Sequence, residues 1–542
     1  MKVDTPKGHR TIIGYPWHDG SMDKNVKAQE TQPLKDRVNN RSRRINSPAF
    51  REFIGSGWGE RKDPPPTPSP AKEYLPQRYQ KLGAHFRGER LVIPAGNYKV
   101  RSNDCDYRFR AHSAFAHLTG LGGELEPDAA LVLEPLTDKE GTPLDNSPTD
   151  TQSFTHRGII FFRPQAPRSS EEFYSDSTYG EFWVGPRMTL TQMEAVTGLQ
   201  ARPLDTLPDQ LAKDAGLVQL RVIRNIDSCV QAAVEKVRQE AGLVTGEDAK
   251  AIDEKLEEAA SVLRLQKDDA EIKELQQAVA ITKRGFEDMI RVLPRATGHR
   301  RGERVIEGAF GARAREEGNG LGYDTIAASG NHANTLHWID NDGQVREGDL
   351  ILIDAGVEAD SLYTADITRT LPVNGKFTPV QAKVYNAVLD ACEAGLAQAN
   401  KPGCRFKDVH DAAVATLVKH LDSWGLLPVS AEQTLSEDGG EYRRWMPHGV
   451  SHHLGLDVHD CAQAARDMYM DAPLEPGMCF TIEPGLYFHQ DDELLPEELR
   501  GIGVRIEDDV LVEKDGSVRR LSEDIPRTIE DVEAWMTRVQ AG

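Results

Sequence analysis

The stretch His448-Gly449-Val450-Ser451-His452-His453-Leu454-Gly455-Leu456-Asp457-Val458-His459 gathers four of the sixteen histidines of a 542-residue chain into twelve positions. Three acidic clusters stand around it in the chain. These are Ile353-Asp354-Ala355-Gly356 with Ala365-Asp366-Ile367-Thr368-Arg369, then Thr481-Ile482-Glu483-Pro484-Gly485, then Val504-Arg505-Ile506-Glu507-Asp508-Asp509. Each places a carboxylate at or near the end of a hydrophobic strand, where an unpaired charge would be costly to bury. A cation is the natural partner. Several carboxylates around one imidazole, without thiolates, form an oxygen-rich set suited to harder divalent ions, Mn2+ ahead of Zn2+. Shared carboxylates can hold two such ions roughly 3.5–4 Å apart and generate a bridging hydroxide at neutral pH.

The rest of the chain is compatible with a large soluble enzyme. Its length allows about three or four domain-sized units. A composition of 39% hydrophobic and 28% charged residues is that of an ordinary globular protein. With 65 basic against 86 acidic residues the net charge is −21, which disfavours a nucleic-acid partner because phosphate binding needs clustered positive charge. No run approaches the roughly 20 apolar residues of a membrane span, and the N-terminus lacks a secretory h-region. Six cysteines without a CxxC pair read as reduced thiols, so a cytoplasmic location is expected.

Residues 1–70 carry 13 basic and 8 acidic residues, hence +5 against −26 for the remainder. They end in a proline-rich run, Asp63 to Pro70, that favours an extended spacer. This segment reads as an N-terminal extension that docks on the body through Phe50, Phe53, Ile54 and Trp58. Residues 71–264 read as a mixed-sheet domain with β-like runs at Leu91–Ile93, Ala130–Leu133 and Ile159–Phe162. A helical insertion near 207–262 includes a solvated helical hairpin at Gly246–Ala260. The second domain, 265–542, starts at a helix with Asp268 as cap and Glu271 three residues on, its apolar stripe being Ile272, Leu275, Val279, Phe286 and Ile290. Strand candidates follow at 323–329, 349–354, 363–370, 478–483 and 503–513, with helices near 303–316, 379–398 and 406–423; Lys514-Asp515-Gly516-Ser517 is a hairpin signal.

The ordered set Asp354, Asp366, His452, Glu483, Glu507 resembles the ligand set of the creatinase, aminopeptidase P and methionine aminopeptidase group of pita-bread metallopeptidases. The phrases IDAGVEADSLYTADITRTLPVNGKFT (353–378), HGVSHHLGLDVHD (448–460), TIEPGLY (481–487) and GIGVRIEDDVLV (501–512) are most similar to aminopeptidase P. Asp106-Tyr107-Arg108-Phe109-Arg110 and Ser113 to Gly120 resemble that family's N-terminal domain. The resemblance implies an α/β (α+β) protein with a creatinase-type N-terminal domain followed by a pita-bread catalytic domain. It implies that Asp354 holds one metal, that Asp366 and Glu507 bridge, and that His452 and Glu483 complete the other, with Mn2+ ahead of Co2+ or Zn2+. Glu483 would also accept the proton of the attacking water. His337 and His459 match histidines that contact the scissile carbonyl region, His448 one that lines the proline pocket, and Arg187 an arginine reaching the site from the N-terminal domain. Arg505 would orient the ligands from behind. The implied reaction is removal of the first residue from peptides with proline second, by a homodimer or homotetramer.

Other residues read as incidental. His453, directly after the ligand histidine, reads as surface or packing, and His332 and His489 as unrelated to the chemistry. Asp340-Asn341-Asp342-Gly343 lacks the twelfth-position glutamate of a calcium loop and reads as a turn. Cys479 reads as a buried strand thiol. Ala116 and His453 depart from the family's pattern and bear on the shape of the substrate subsite. Two rivals stand beside the aminopeptidase: a prolidase, which must grip the free carboxylate of a dipeptide, and a non-catalytic pita-bread module binding peptides or histones, which a complete ligand set opposes. Methionine aminopeptidase is disfavoured by the long N-terminal domain.

Overall fold

A computed structural model describes residues 47–542 apart from 62–63, 104, 124–126, 137–141 and 144–154. Residues 1–46 of the predicted extension, and part of its proline run, therefore lie outside the described residues. The part that is described touches the body through Phe50 and Trp58, whereas Phe53, also expected as an anchor, is exposed. Helix Pro48–Gly55 starts at Pro48 behind the Ser47 cap, Phe50 meets Tyr174 edge-on at 5.4 Å, and Trp58 meets Phe173 edge-on at 5.4 Å. The Arg168 guanidinium lies over the Trp58 ring, a contact that adds about 0.5–1 kcal/mol at an exposed site.

Five strands form the N-terminal sheet in the order Gln200–Pro203, His156–Phe162, Ala130–Pro135, Arg90–Pro94, Leu220–Val222. Alternation along the strands buries both faces. Leu91, Ile93, Leu131, Leu133 and Ile160 join one apolar cluster, and Val92, Val132, Ile159 and Phe161 join another. Val230, Val234 and Val237 of helix Ser228–Glu240 cover the second.

Two expectations are corrected here. The segment 207–262 is not wholly helical, because Leu220–Val222 is an edge strand parallel to Arg90–Pro94, its three residues too few to stand out from their helical surroundings. The stretch Gly246–Ala260 is not a solvated hairpin. It belongs to a single helix, Gly246–Leu263, whose Asp253 is buried and accepts from Arg238, from Arg224 at 2.8 Å and from the Val222 amide at 2.9 Å. Its partners lie 15 to 31 residues away, so local composition did not reveal the pairing.

Helix Asp269–Thr297 opens the catalytic region. Asp268 Oδ1 accepts from the Ala270 and Glu271 amides, and the Glu271 side chain accepts from the Asp268 amide, a reciprocal cap that stabilises a helix start by about 1 kcal/mol. Leu275, Val279, Phe286 and Ile290 are buried along one face. Three small antiparallel sheets follow: Ile367–Pro372, Leu350–Ala355, Ile326–Ser329; Cys479–Ile482, Asp508–Val512, Val518–Arg520; and the pair Gly485–Tyr487, Gly503–Arg505. Helices Pro379–Ala399 and Phe406–Ser423 pack behind them. The two regions are tied by polar contacts. Arg110 pairs with Glu358 at 2.6 Å and donates to the Leu456 carbonyl, Ser113 donates to Asp457, and Arg78 pairs with Asp268.

Removing the Asp253 carboxylate leaves the buried Arg238 guanidinium without a counter-charge and a strand amide unbonded, while Arg224 keeps only Glu235. Asp253→Ala is expected to destabilise the N-terminal sheet region by about 3–5 kcal/mol. An unchanged urea midpoint for that region's unfolding transition would contradict this account.

Candidate metal centre

Asp354 sits near the end of the central strand Leu350–Ala355, paired across to Thr368 on one side and Ile326 on the other. The chain then passes Gly356, where an added Cβ would lie 1.6 Å from the Ala365 carbonyl oxygen. Only glycine permits that approach, and the approach returns Asp366 to the side of Asp354. The Tyr323 hydroxyl reaches both carboxylates, at 2.6 and 2.5 Å. Glu483 follows strand Cys479–Ile482, while Glu507 lies in the step between Gly503–Arg505 and Asp508–Val512. His452 is held beside that sheet by mutual bonds with Thr481 and by the bridge between His453 and Phe480.

All five residues line one cavity of about 600 Å³. His452 Nε2 lies 3.3 Å from Asp366, 3.5 Å from Glu483 and 4.0 Å from Glu507. Donor atoms of Asp366, His452 and Glu507 fall within 4.8 Å of one another. Crowding shows in the proton affinities. Burial and the surrounding carboxylates push Glu483 up to about 7 and Glu507 well above the usual range; Asp354 is also raised, chiefly by burial, against the pull of Arg505. Burial alone would lower His452, but Asp366 and Glu483 raise it to about 9. Asp509, buried behind Asp366 and accepting from its amide at 3.1 Å, is likewise pushed up by burial and by the Asp366 charge.

This arrangement fits divalent cations. A phenol has one proton to donate, yet Tyr323 faces two carboxylates, and Arg505 is the one guanidinium among the residues lining the cavity. Four carboxylates thus share one guanidinium and one imidazole, which leaves negative charge uncompensated. His452 Nδ1 lies 3.3 Å from the His453 carbonyl, which can only accept, so Nε2 faces the carboxylates unprotonated once a cation is bound.

Arg505 stands where the sequence placed it, donating to Asp354 at 2.5 Å, to Thr368 and to the Tyr487 hydroxyl. His448, His337 and His459 all line the cavity, and the His459 ring meets His452 edge-on at 4.5 Å. The His448 Nδ1 proton goes to the Gly449 carbonyl, so Nε2 accepts from Tyr487 at 2.7 Å. Burial holds His448 down at about 4, so the ring stays neutral.

Arg187 is not among the cavity-lining residues; it pairs with Glu172 and donates to the Arg163 and Pro164 carbonyls within the N-terminal domain. His453 is a packing residue, not a surface one, stacked on Phe406 at 4.4 Å. Tyr323, Tyr487 and Asp509 were not singled out by sequence. Tyr487 ends the phrase TIEPGLY and Asp509 follows Glu507 by two, so proximity to quoted ligands was an available signal for both.

Comparison with known proteins agrees with this architecture. Residues 273–514 match the model of metallopeptidase family M24, and residues 75–221 match that of the aminopeptidase P N-terminal domain. Xaa-Pro aminopeptidase 1 of Streptomyces coelicolor is 45% identical over 514 residues, 94% of this chain and 96% of the relative. Xaa-Pro aminopeptidase 3 of Homo sapiens is 32% identical over 82% of this chain and 80% of its own length. The low-pH form of aminopeptidase P from E. coli superposes with a TM-score of 0.72 at 28% identity, covering 87% of this chain and 99% of that one. The fold is that of an M24 metallopeptidase with an α+β pita-bread domain. Within that class the chain belongs to the aminopeptidase P family.

The raised proton affinities give a measurable consequence. In the metal-free protein at pH 7, His452, raised to about 9, carries its proton and Glu483, raised to about 7, is partly protonated, while burial and the neighbouring carboxylates push Glu507 upward as well. Cations need the deprotonated donors. Titration calorimetry in buffers of different ionisation enthalpy is expected to show proton release on Mn2+ binding at pH 7, with affinity rising as pH climbs toward 9. Binding without proton release would contradict these shifts.

Proposed function

We propose that the chain is a dinuclear-metal Xaa-Pro aminopeptidase that hydrolyses the bond between the first residue of a peptide and a proline in second position. The observation that carries this reading is the cavity itself. Five ordered donors, Asp354, Asp366, His452, Glu483 and Glu507, converge there with three further histidines. The names borne by the relatives at 45% identity support it. Asp354 would serve one metal, Asp366 and Glu507 both, and His452 and Glu483 the other. Oxygen donors in a four-to-one majority favour Mn2+ ahead of Co2+ or Zn2+. When bound, the two ions supply Lewis-acid polarisation of the scissile carbonyl and a water acidified enough to act as a bridging nucleophile near neutral pH.

The protein groups do the rest. Glu483 takes the proton from the attacking water and returns it to the departing proline nitrogen. His337 and His459 stabilise the oxygen that gains charge at the reacting carbonyl. An Xaa–Pro bond is a tertiary amide with no N–H, so recognition must come from the shape of the ring pocket. Neutral His448, locked by Tyr487 and Gly449, provides a wall for it. Arg505 holds Asp354 and Tyr487 together, so the metal side and the proline side share one anchor.

The same cavity weighs against prolidase. A dipeptidase must clamp the substrate's terminal carboxylate, yet among the described residues lining the cavity the only arginine or lysine is Arg505, already engaged with Asp354. Longer peptides place that carboxylate outside. All six cysteines are free, which supports a reducing, cytoplasmic setting. We infer an assembly of two or four copies, and light scattering on the full chain reads its mass directly.

The expected activity is metal-dependent release of the first residue from Xaa-Pro-Yaa and longer peptides, with Xaa-Pro dipeptides turned over at least about 10-fold less efficiently. Asp366→Ala and Glu483→Ala should lower kcat by about 1000-fold or more. Undiminished turnover in either variant, or a preference for the dipeptide, would overturn the reading.

A further inference from the structure

We propose that Glu303 is a positioning residue that fixes His337 against the scissile carbonyl, an inference that rests on the aminopeptidase reading above. Glu303 lies in the first turn of helix Gly302–Glu317, is fully buried, and does not line the cavity. Its carboxylate accepts four hydrogen bonds. Oε1 takes the Ser329 amide and His332 Nδ1, both at 2.8 Å; Oε2 takes the Gly343 amide at 2.7 Å and Trp338 Nε1 at 2.9 Å. Two donors on each oxygen satisfy a carboxylate that would otherwise be costly to bury.

Those donors come from the two ends and the middle of the loop 329–343, the segment that contributes Leu336, His337 and Ile339 to the cavity wall. The His332 and Trp338 rings stack at 3.9 Å, so the two side-chain donors also brace each other. The loop is moulded on the carboxylate, since a Cβ at Gly343 would lie 2.6 Å from Glu303 Oε2 and 2.6 Å from His332 Cε1. The Glu303 amide returns a bond to the Gly343 carbonyl at 3.2 Å. His337 adjoins Trp338, and its place is set by the backbone that Glu303 grips. Displacing a group that touches the reacting carbonyl by about 1 Å costs on the order of 100-fold in rate. His332, unrelated to the chemistry on sequence grounds, is thereby part of the support for His337.

Glu303→Gln replaces one acceptor oxygen by an amide nitrogen that confronts N–H donors. Trp338→Phe removes a single donor and keeps the stacked ring. With an Xaa-Pro-Yaa tripeptide, kcat is expected to fall about 30-fold in the first and about 5-fold in the second, with KM within about 3-fold and metal content unchanged. On a His337→Ala background each substitution should cost less than about 2-fold more, because the group through which it acts is gone. Full multiplication of the losses on that background, or wild-type kcat in Glu303→Gln, overturns the proposal. If Glu303→Gln fails to fold, the Trp338→Phe cycle decides. Hydrogen exchange is an independent readout: the Ser329 and Gly343 amides should lose protection in Glu303→Gln while helix Asp269–Thr297 keeps it, and unchanged protection counts against the proposal. An inactive wild type would instead remove the aminopeptidase reading, and the exchange result would still show whether Glu303 holds the loop.

Discussion

Four carboxylates buried around one imidazole repel one another, and much of the catalytic region is arranged to hold them together. Without compensation the group would either pick up protons or push apart. Four of the five candidate donors are restrained by neighbouring groups: Asp354 by Arg505 and Tyr323, Asp366 by Tyr323 and the sheet, Glu507 by the Thr368 hydroxyl at 2.7 Å, His452 by Thr481. Thr368 and Asp354 are directly paired across the strands, so the ladder that brings two donors together also supplies the hydroxyl that fixes a third. The shared burden explains why donors 354 and 507 can lie so far apart in the chain yet act as one unit.

The N-terminal domain enters through the same logic. Ser113 and Arg110 reach the Leu456-Asp457 segment, and Arg264 binds Asp460 at 3.0 Å. These contacts bracket His459, which lies between Asp457 and Asp460. A histidine at the cavity edge is thus set from the other domain, while His337 on the opposite stretch is set from within. The buried pairing of His117, Arg78 and Glu271, with Tyr363 donating to Glu271 at 2.8 Å, fastens the same seam from behind.

How much of this was legible in the sequence follows from range. The five candidate donors could be picked out because they fall in four contiguous phrases, Asp354 and Asp366 sharing one, and the start of the long helix could be placed at Asp268 because a capping box is a local pattern. The hairpin at Lys514 to Ser517 is local too, and it joins Asp508–Val512 to Val518–Arg520. What escaped depends on partners far along the chain. Asp253 looked solvated because Arg224 and Arg238 come before its helix; Leu220–Val222 looked helical because its strand partner is 130 residues away. Glu303 was not singled out, because its four donors lie 26 to 40 residues further along the chain; Arg187 was proposed for the site by analogy with a phrase, and its partners include Glu172 and local carbonyls.

Gly356 illustrates a different kind of constraint. Its importance comes from the oxygen of Ala365 crossing where a side chain would stand, and no chemistry passes through it. Every other amino acid carries a Cβ, so no substitution at this position keeps the crossing that brings Asp366 beside Asp354. The constraint is one of backbone geometry and acts before any question of catalysis arises.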